Sequence, residues 1–409
     1  DFTGVIDMRA MLSAAIVAAE GRTIRFPRNA TLYCVLNTEF FVPPAGVKIV
    51  GDDWTSRIKI HEESIGTNTV DPVTGEPVGE PNDNGYFDFL KINAASGPIW
   101  LENVDLEGAG GGSSAVTPAD GHIRFINGVG SGANDITLRM VRCRYSRALA
   151  FWPENCRDFE MTDCELGYTY RGGFQVRFAR GRVTVKRNRG IFTRDDWANI
   201  NWNWKAAYGP IVPEMSSPID VSENELFGSG GIRVIGPVQG RICDNFSRYG
   251  GTHMVAIGRL DGQAPATGDL LVERNIALDA MRGPDPYAHG SDYAFMRFRG
   301  QLPAAGGLPA IPGKTDPTTG NYIPVEPYGT QPIAAGSPTP AAGKVIVRNN
   351  ICGRKMLPGT SRTMWEAMAA VVAGNANGMA SITYEEVHLR PIGFLVEGHF
   401  DGLVISNND

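Results

Sequence analysis

Arginine, aromatic and amide side chains recur at one place in a series of short apolar segments. In residues 174–178, which read FQVRF, the two-residue period of a strand turns Gln175 and Arg177 away from the apolar face. The same rule turns six further side chains outward in neighbouring segments: Arg124, Trp152, Arg233, His253, Arg297 and Arg299. Guanidinium groups bind carboxylate and sulfate groups with paired hydrogen bonds, and indole rings offer flat apolar faces to sugars. The set predicts a binding face for an acidic polysaccharide. The alternative is a solvated sheet face whose arginines pair with local carboxylates.

The sequence of residues 199–205, NINWNWK, does not decide which side chains face outward. Either the asparagines and Lys205 point to solvent, or Trp202 and Trp204 do. We take Lys205 as a candidate catalytic residue and the two tryptophans as candidate sugar-stacking residues. Arg177 and Arg233 join Lys205 as catalytic candidates, because their strands would lie close to it in a stack.

Acidic residues come directly before two of these segments. Asp195, Asp196 and Trp197 precede the asparagine-tryptophan segment, and Asp292 precedes the segment that holds Arg297. Paired carboxyl groups hydrolyse a glycosidic bond when one protonates the leaving oxygen and the other activates water or attacks the sugar. Asp195 and Asp196 are therefore candidate catalytic residues, and Trp197 and Asp292 are candidate substrate-binding residues. Aspartate is also a common turn former, which is the structural alternative for each of them.

A repeated phrase predicts the elements that position these side chains. Residues 183–188 read VTVKRN, in which two apolar positions flank a polar one and asparagine closes the phrase. The phrase returns at residues 219–224, 240–245, 270–275, 345–350 and 403–408, and residues 138–143 and 159–164 carry cysteine in the last place. The closest steps are 21 to 24 residues. A fixed step of this length with the two-residue period of strands indicates the stacked coils of a parallel β-helix, and an antiparallel sandwich would show no such phrase.

The last residue of the phrase is expected to adopt the left-handed conformation at a bend and to form a column of amide hydrogen bonds. Cys143 and Cys164 occupy this position in neighbouring coils and are expected to be buried thiols, not a disulfide. None of the six cysteines shows the C-x-x-C spacing of a metal or redox site. The six histidines show no metal-binding spacing, and the sequence predicts no metal site.

The open end of a stack of coils exposes a sheet edge, which a terminal helix can cover. Residues 7–20 predict such a helix, with Asp7 as its cap and Gly21 at its end. Residues 66–85 and 301–343 are rich in Pro, Gly and Thr and are expected to be loop insertions in a single domain of residues 1–409. Residues 361–374 are expected to be helical.

Composition narrows the function classes. The net charge of −6 argues against a general nucleic-acid binder. No apolar run approaches the roughly 18 residues that a membrane-spanning helix needs. No signal peptide is visible, and the chain stops inside a repeat phrase, so a longer parent chain is expected.

The beginning of the chain resembles a known superfamily. After the predicted helix, residues 21–27 (GRTIRFP) and 33–35 (YCV) are similar to the opening of the pectate-lyase-like β-helices, which include phage tailspikes. The resemblance implies an all-β, right-handed, single-stranded parallel β-helix with an N-terminal capping helix. In lyases of this superfamily an arginine or lysine serves as the base and calcium can neutralise the uronate carboxylate. The resemblance therefore implies Lys205, Arg177 or Arg233 as the base and no cofactor apart from calcium. No pectate lyase, polygalacturonase or alginate epimerase motif is clear in the chain.

We expect a chain that binds and depolymerises an acidic cell-surface or extracellular polysaccharide, as a homotrimeric phage tailspike-like depolymerase in the virion or outside the cell. A secreted bacterial polysaccharide lyase or glycoside hydrolase is one alternative. A non-catalytic glycan-binding spike or adhesin is another. Elimination and hydrolysis both stay open.

Overall fold

The structure is a computed structural model, and it describes most of the repeat region. The described residues are 6–36, 39–60, 86–108, 122–146, 149–169, 172–193, 196–201, 217–235, 238–248, 250, 253–258, 269–278, 294–299, 314–315, 322–323, 344–353, 392–397 and 403–408. Within them, short strands stack in parallel into three long sheets, which confirms the all-β parallel β-helix.

The first sheet is formed mainly by the repeated phrase, whose apolar positions alternate inward. Val183 and Val185 are buried, whereas Thr184 and Lys186 between and after them are half-buried. The eleven strands are Thr23–Phe26, Val47–Gly51, Ile99–Glu102, Ile136–Arg139, Phe159–Thr162, Val183–Lys186, Ser217–Ser222, Val238–Cys243, Leu270–Glu273, Val345–Arg348 and Leu403–Ser406.

The second sheet follows the bend after each phrase, and the sequence analysis had not separated it from the phrase. Most of its strands have only three or four residues. The ten strands are Thr31–Cys34, Arg57–Ile60, Asp105–Glu107, Arg142–Arg144, Glu165–Thr169, Arg189–Thr193, Glu225–Phe227, Phe246–Arg248, Ile276–Leu278 and Ile351–Gly353.

The third sheet contains the segments that carry the predicted binding face. Its nine strands are Tyr86–Ile92, His122–Val129, Phe151–Glu154, Phe174–Arg177, Ala198–Asn201, Ile232–Ile235, Val255–Gly258, Ala294–Arg299 and Ile392–Glu397. A separate antiparallel pair, Lys314–Thr315 with Tyr322–Ile323, lies within the segment expected to be a loop insertion. The predicted insertion at 66–85 and the predicted helix at 361–374 lie outside the described residues.

The three sheets enclose a continuous apolar core. Its largest fully buried side chains include aromatic rings from the first and third sheets, such as Phe159 and Phe174, whose ring centroids are 5.6 Å apart. A parallel β-helix places equivalent residues of successive coils about 4.8 Å apart, so like side chains stack on like. The outward residues of the third sheet are therefore also aligned in columns.

A buried column of asparagines closes the bend between the first and second sheets. The column contains Asn188, Asn224, Asn245, Asn275, Asn350 and Asn408. In the first five, the side-chain Nδ2 donates to Oδ1 of the asparagine one coil on, at 2.8–2.9 Å, and to a backbone carbonyl of the first sheet. The predicted amide column is present, and we call it the asparagine ladder.

The left-handed residue at this bend is not the asparagine but the residue before it. Arg187, Glu223, Asp244 and Arg274 have φ values from 54° to 61°, and the asparagines that follow them are absent from the residues with positive φ. The asparagine therefore serves the bend through its amide, which both donates and accepts hydrogen bonds. The prediction that the asparagine itself adopts the left-handed conformation is wrong.

The two cysteines predicted to extend the ladder take different places. Cys164 does extend it, because its backbone N donates to Oδ1 of Asn188 at 2.9 Å. Cys143 instead pairs in register with Leu106 and Leu166 inside the second sheet, and Val141 occupies the ladder position of its coil. All six cysteines are free thiols, and burial raises the pKa of Cys164 to about 12.

The capping helix runs from Arg9 to Ala19, and Leu12 and Ile16 bury their side chains in the core. Oδ1 of Asp7 accepts hydrogen bonds from the backbone N of Arg9 and of Val35, each at 2.9 Å, which ties the start of the helix to the second sheet. Glu20 ends the helix in the left-handed conformation, one residue before the predicted glycine.

Candidate functional site

A row of polar and aromatic side chains follows the outer face of the third sheet across four consecutive coils. The alternation is as predicted, since Phe174 and Val176 are buried whereas Gln175 and Arg177 are on the opposite face. Strand pairing aligns Gln175 with Asn199 and then Arg233, and aligns Glu154 with Arg177 and then Asn201. We call these side chains the third-sheet strip: Trp152, Glu154, Gln175, Arg177, Asn199, Asn201 and Arg233.

Carboxylates from neighbouring coils pair with the arginines at one end of the strip. Nη1 of Arg177 lies 2.6 Å from Oε1 of Glu154, and Nε of Arg124 lies 2.8 Å from Oδ1 of Asp88. Asp88 also accepts a hydrogen bond from Nδ2 of Asn127 at 2.9 Å. These arginines are therefore locally neutralised, as in the alternative considered for the sequence.

Trp152 lies between these two ion pairs. The guanidinium carbons of Arg124 and Arg177 are 5.5 and 6.0 Å from the centroid of its ring. Such a placement attracts the cations to the ring faces and holds the indole in one orientation. Trp152 is half-buried, so part of its surface stays accessible beside Gln175.

Asp196 organises a second cluster further along the strip. It is only 3% exposed, and its Oδ2 lies 2.6 Å from Nε of Arg233 while its Oδ1 lies 3.1 Å from Nε2 of His253. Nδ2 of Asn199 also donates to Oδ2 of Asp196, at 3.3 Å. Three successive coils thus converge on one carboxylate, which brings together the predicted residues Asp196, Arg233 and His253.

The cluster holds Asp196 in its charged form. Burial by itself would raise the pKa of this carboxyl group, but the charge of Arg233 and the contact with His253 outweigh it, and the pKa is lowered. A group that must donate a proton at neutral pH needs a raised pKa. Asp196 therefore fits a role in positioning Arg233 and His253 better than the role of a general acid.

His253 was predicted to face outward, and the structure places its side chain inside the cluster with no exposed surface. It contacts Asp196 and not solvent. Arg233 is the member of the cluster that keeps an accessible edge, with 19% of its side chain exposed. A ligand on the strip would meet the guanidinium group, and the other two side chains would fix its position.

The prediction that Trp197 binds substrate is wrong. Its side chain is fully buried and packs edge-on against Phe174, with centroids 5.4 Å apart. Gly190 makes room for it, because a Cβ at that position would lie 2.5 Å from Cδ1 of the indole. Trp197 and the following Ala198 are both buried, so the bend before the strand breaks the alternation and turns the indole into the core.

Within the part of the chain that the structure describes, three polar atoms of the strip are buried without a hydrogen-bond partner. They are Nε1 of Trp152, Nε of Arg177 and Oδ1 of Asn201. Asn201 is 1% exposed, and its Nδ2 donates to Oδ1 of Asn199. The accessible groups of the strip are therefore the exposed edges of Trp152, Gln175, Arg177 and Arg233.

The remaining predicted site residues are only partly described. Arg297 and Arg299 lie on the third sheet, paired in register with Ala256 and Gly258, but their side chains lie outside the described part. The others lie entirely outside the described residues: Asp195, Trp202, Trp204, Lys205 and Asp292. The open question of which face residues 199–205 turn outward is answered for Asn199 and Asn201, which are on the strip side, with Ile200 buried.

The sequence analysis missed the partners of the arginines. Glu154 and Asp88 were not singled out, although Glu154 lies directly opposite Arg177 in the strand register. Alignment of the third-sheet segments by their apolar positions would have placed opposite charges on neighbouring coils.

Among the described residues, no group of three or more His, Cys, Asp or Glu side chains is arranged to hold a metal ion. In the same part of the chain, no helix is long and apolar enough to cross a membrane. No protein-family model, curated protein or solved structure matches this chain. The resemblance to the pectate-lyase-like superfamily therefore extends to the parallel β-helix and no further.

Proposed function

We propose that the third-sheet strip binds an extracellular or cell-surface polysaccharide, most simply an acidic one, and that the protein depolymerises it. The observation that carries the proposal is the row of indole, amide and guanidinium groups on aligned coils of one sheet face. A polymer that runs along the stack would meet one or two of these groups at each coil. The buried Asp196 cluster supports it by fixing Arg233 at the surface of the strip.

For the chemistry, the cluster favours elimination over hydrolysis by Asp196. In elimination, a base removes the proton at C5 of a uronate, the electron pair forms the C4–C5 double bond, and the bond from C4 to the leaving oxygen breaks as that oxygen gains a proton. Arg233, held by Asp196, would neutralise the uronate carboxylate and so acidify the C5 proton. Lys205, the predicted base, lies outside the described residues.

The experiment is a product assay on a panel of alginate, hyaluronan, heparin and neutral dextran. We expect one acidic polymer to give new chain ends together with the ultraviolet absorbance of an unsaturated uronate. New reducing ends without that absorbance would mean hydrolysis and would contradict the elimination step. Arg233→Gln should abolish the product, with Arg187→Gln, an exposed arginine on a different face, as the control.

A non-catalytic glycan-binding spike is the second candidate, and one observation favours it. The lowered pKa of Asp196 removes the predicted acid from the described part of the site. In that case a panel glycan would bind, the binding would weaken in Trp152→Phe, and no product would form from any polymer.

If the protein is a tailspike-like depolymerase, it should be a homotrimer outside the cell or on a virion. The alternative is a secreted bacterial enzyme. The aligned outer faces of a parallel β-helix support trimerisation, because they are surfaces that like chains can bury against each other. Light scattering of the full-length protein tests this, and a monomer at all concentrations would favour the secreted enzyme.

A further inference from the structure

The outer face of the second sheet contains a cluster of cations that the proposed function does not use. Strand pairing places Arg57, Asp105 and Arg142 in one row and Lys59, Glu107 and Arg144 in the next. We call these six side chains the second-sheet patch. Four cations therefore surround two carboxylates, and Glu165 of the following coil raises the number of carboxylates only to three.

The two carboxylates of the patch are shared among several cations. Asp105 is fully buried, and its Oδ2 lies 2.9 Å from Nε of Arg57, 2.7 Å from Nη2 of Arg142 and 2.9 Å from Nη2 of Arg144. Glu107 is 3.2 Å from both Nζ of Lys59 and Nη2 of Arg144. The arginines hold the pKa of Asp105 below its usual range despite its burial.

Positive charge is left over at the surface of this patch. Arg57 and Lys59 each expose about a third of their side chains, at 33% and 34%. Nε of Arg144 is buried without a hydrogen-bond partner. Like charges on neighbouring coils repel, and an anionic group bound over them would relieve that repulsion. The third-sheet strip differs, because Arg177 and Arg233 are paired with separate carboxylates, Glu154 and Asp196, whereas the four cations of the patch share two.

Aromatic rings border the patch and continue from it along the stack. Arg142 lies 5.2 Å from the ring of Trp54, and Arg144 lies 5.6 Å from that of Tyr145. From Tyr145 a column of half-buried rings runs over the next three coils, with centroids 5.3, 5.5 and 5.8 Å apart: Tyr145, Tyr168, Phe192 and Phe227. We call this the aromatic column.

The aromatic column is held in an unfavourable backbone conformation. Tyr145, Tyr168 and Phe192 have φ values of 60°, 54° and 52°, the left-handed region that bulky side chains rarely adopt. At the bend between the first and second sheets, the residues with left-handed backbone are mostly polar. Strained residues of this kind are concentrated at binding sites, where the orientation of the side chain matters.

We propose that the second-sheet patch and the aromatic column form a binding site for the carboxylate or sulfate groups of an acidic polysaccharide, separate from the third-sheet strip. The cations bind the acidic groups and the rings contact the apolar faces of the following sugars. The inference takes from the proposed function only that the ligand is a polysaccharide. It adds a second face that recognises negative charge, apart from Arg233 on the strip.

The test is isothermal titration with size-defined oligosaccharides of three kinds, namely alginate for carboxylate, heparin-derived for sulfate, and dextran as the neutral probe. The variant Arg57→Gln/Lys59→Gln removes two exposed cations and leaves Arg142 and Arg144 on the buried Asp105. We expect roughly tenfold weaker binding of the acidic probe that binds wild type, equivalent to about 1.4 kcal/mol. Dextran binding should not change.

The matched control is Arg187→Gln/Arg274→Gln, which removes the same charge from exposed arginines paired with Asp163 and Asp244. Equal weakening by the control, unchanged binding in the patch variant, or no binding of either acidic probe would overturn the proposal. Melting temperatures exclude unfolding as the cause, and Lys59→Gln alone serves if the double variant is unstable.

The strip variant Trp152→Phe/Gln175→Ala separates this inference from the proposed function. If acidic probes bind the strip variant normally and the patch variant weakly, the patch stands and the strip proposal fails. The opposite result overturns the patch. A mass in light scattering that rises with concentration, and falls in the patch variant, would show a second copy of the chain as the occupant and also overturn it.

Discussion

The asparagine ladder and the third-sheet strip are both columns of polar side chains along the same stack, but they differ in how their hydrogen bonds are used. In the ladder, Asn224 donates through Nδ2 to Asn245 and to the carbonyl of Val185, and accepts at Oδ1 from Asn188. On the strip, Asn201 uses its Nδ2 and leaves Oδ1 without a partner.

This difference separates a column that stabilises the fold from one that is available to bind. Buried polar groups are almost always hydrogen-bonded, and leaving one unpaired costs about 1–3 kcal/mol. The ladder avoids that cost completely. Within the described residues, the strip retains it at three buried atoms on adjacent coils.

The largest effect is expected at Asp196, the buried carboxylate that contacts the strip. Asp196→Ala leaves Arg233 and His253 without their shared carboxylate, and breaking a buried ion pair costs about 3–5 kcal/mol. The free energy of unfolding in urea measures it. The control Asp163→Asn removes an exposed charge from Arg187, keeps a residue type that tolerates the left-handed backbone at this position, and should cost less than about 1 kcal/mol. Equal costs for the two variants would contradict the buried cluster.

The pH dependence of the same variant sharpens the prediction. The pKa of Asp196 is lowered in the folded state, so its contribution is complete above the pKa of an unfolded aspartate. The contribution is lost as the pH falls through the lowered, folded pKa. The difference in unfolding free energy between wild type and Asp196→Ala should therefore narrow in acid. A difference that stays constant down to the lowest pH would be inconsistent with a charged Asp196.

A smaller effect is expected in the ladder. Asn224→Leu removes the acceptor of Asn188 and the donor to Val185 while it keeps a similar volume. We expect a loss of about 2–3 kcal/mol in unfolding free energy. The adjacent exposed residue gives the control, since Glu223→Gln keeps the left-handed position and should have little effect on the melting temperature. A stable Asn224→Leu protein would mean that the ladder does not stabilise the fold.

The smallest effect is expected from salt. Arg177 and Arg233 are each paired with a carboxylate of the protein. Binding of a ligand to the strip should therefore weaken little between low and moderate ionic strength. Binding of acidic probes to the second-sheet patch should weaken more. The comparison uses titrations of the strip variant and the patch variant at two salt concentrations. A salt effect as strong in the patch variant as in the strip variant would contradict this difference between the two faces.

Most of the fold follows from the sequence because one phrase recurs in most coils of the first sheet. The second sheet does not, because strands as short as Phe246–Arg248 are too brief to show alternation. The left-handed residue was misplaced for a related reason: Arg187 and Glu223 have ordinary polar side chains, and nothing in their type marks the bend.

The site was predictable only where it follows from alternation within one strand. Gln175 and Arg177 were placed on the correct face, but their surroundings depend on pairing between coils. Glu154 reaches Arg177 from 23 residues earlier. Asp196 collects Arg233 and His253 from the next two coils, and such contacts become visible only once the register is known.

The most direct test of the strip as a binding face is the change Trp152→Phe. It keeps an aromatic ring between Arg124 and Arg177 and shortens the flat face of the side chain by one fused ring. The affinity for the glycan identified in the panel and the melting temperature are measured on the same preparation. We predict an unchanged melting temperature and binding weakened about three- to tenfold through the lost stacking area, a change on the order of 1 kcal/mol. Unchanged affinity at an unchanged melting temperature would contradict the assignment of the third-sheet strip as the binding face.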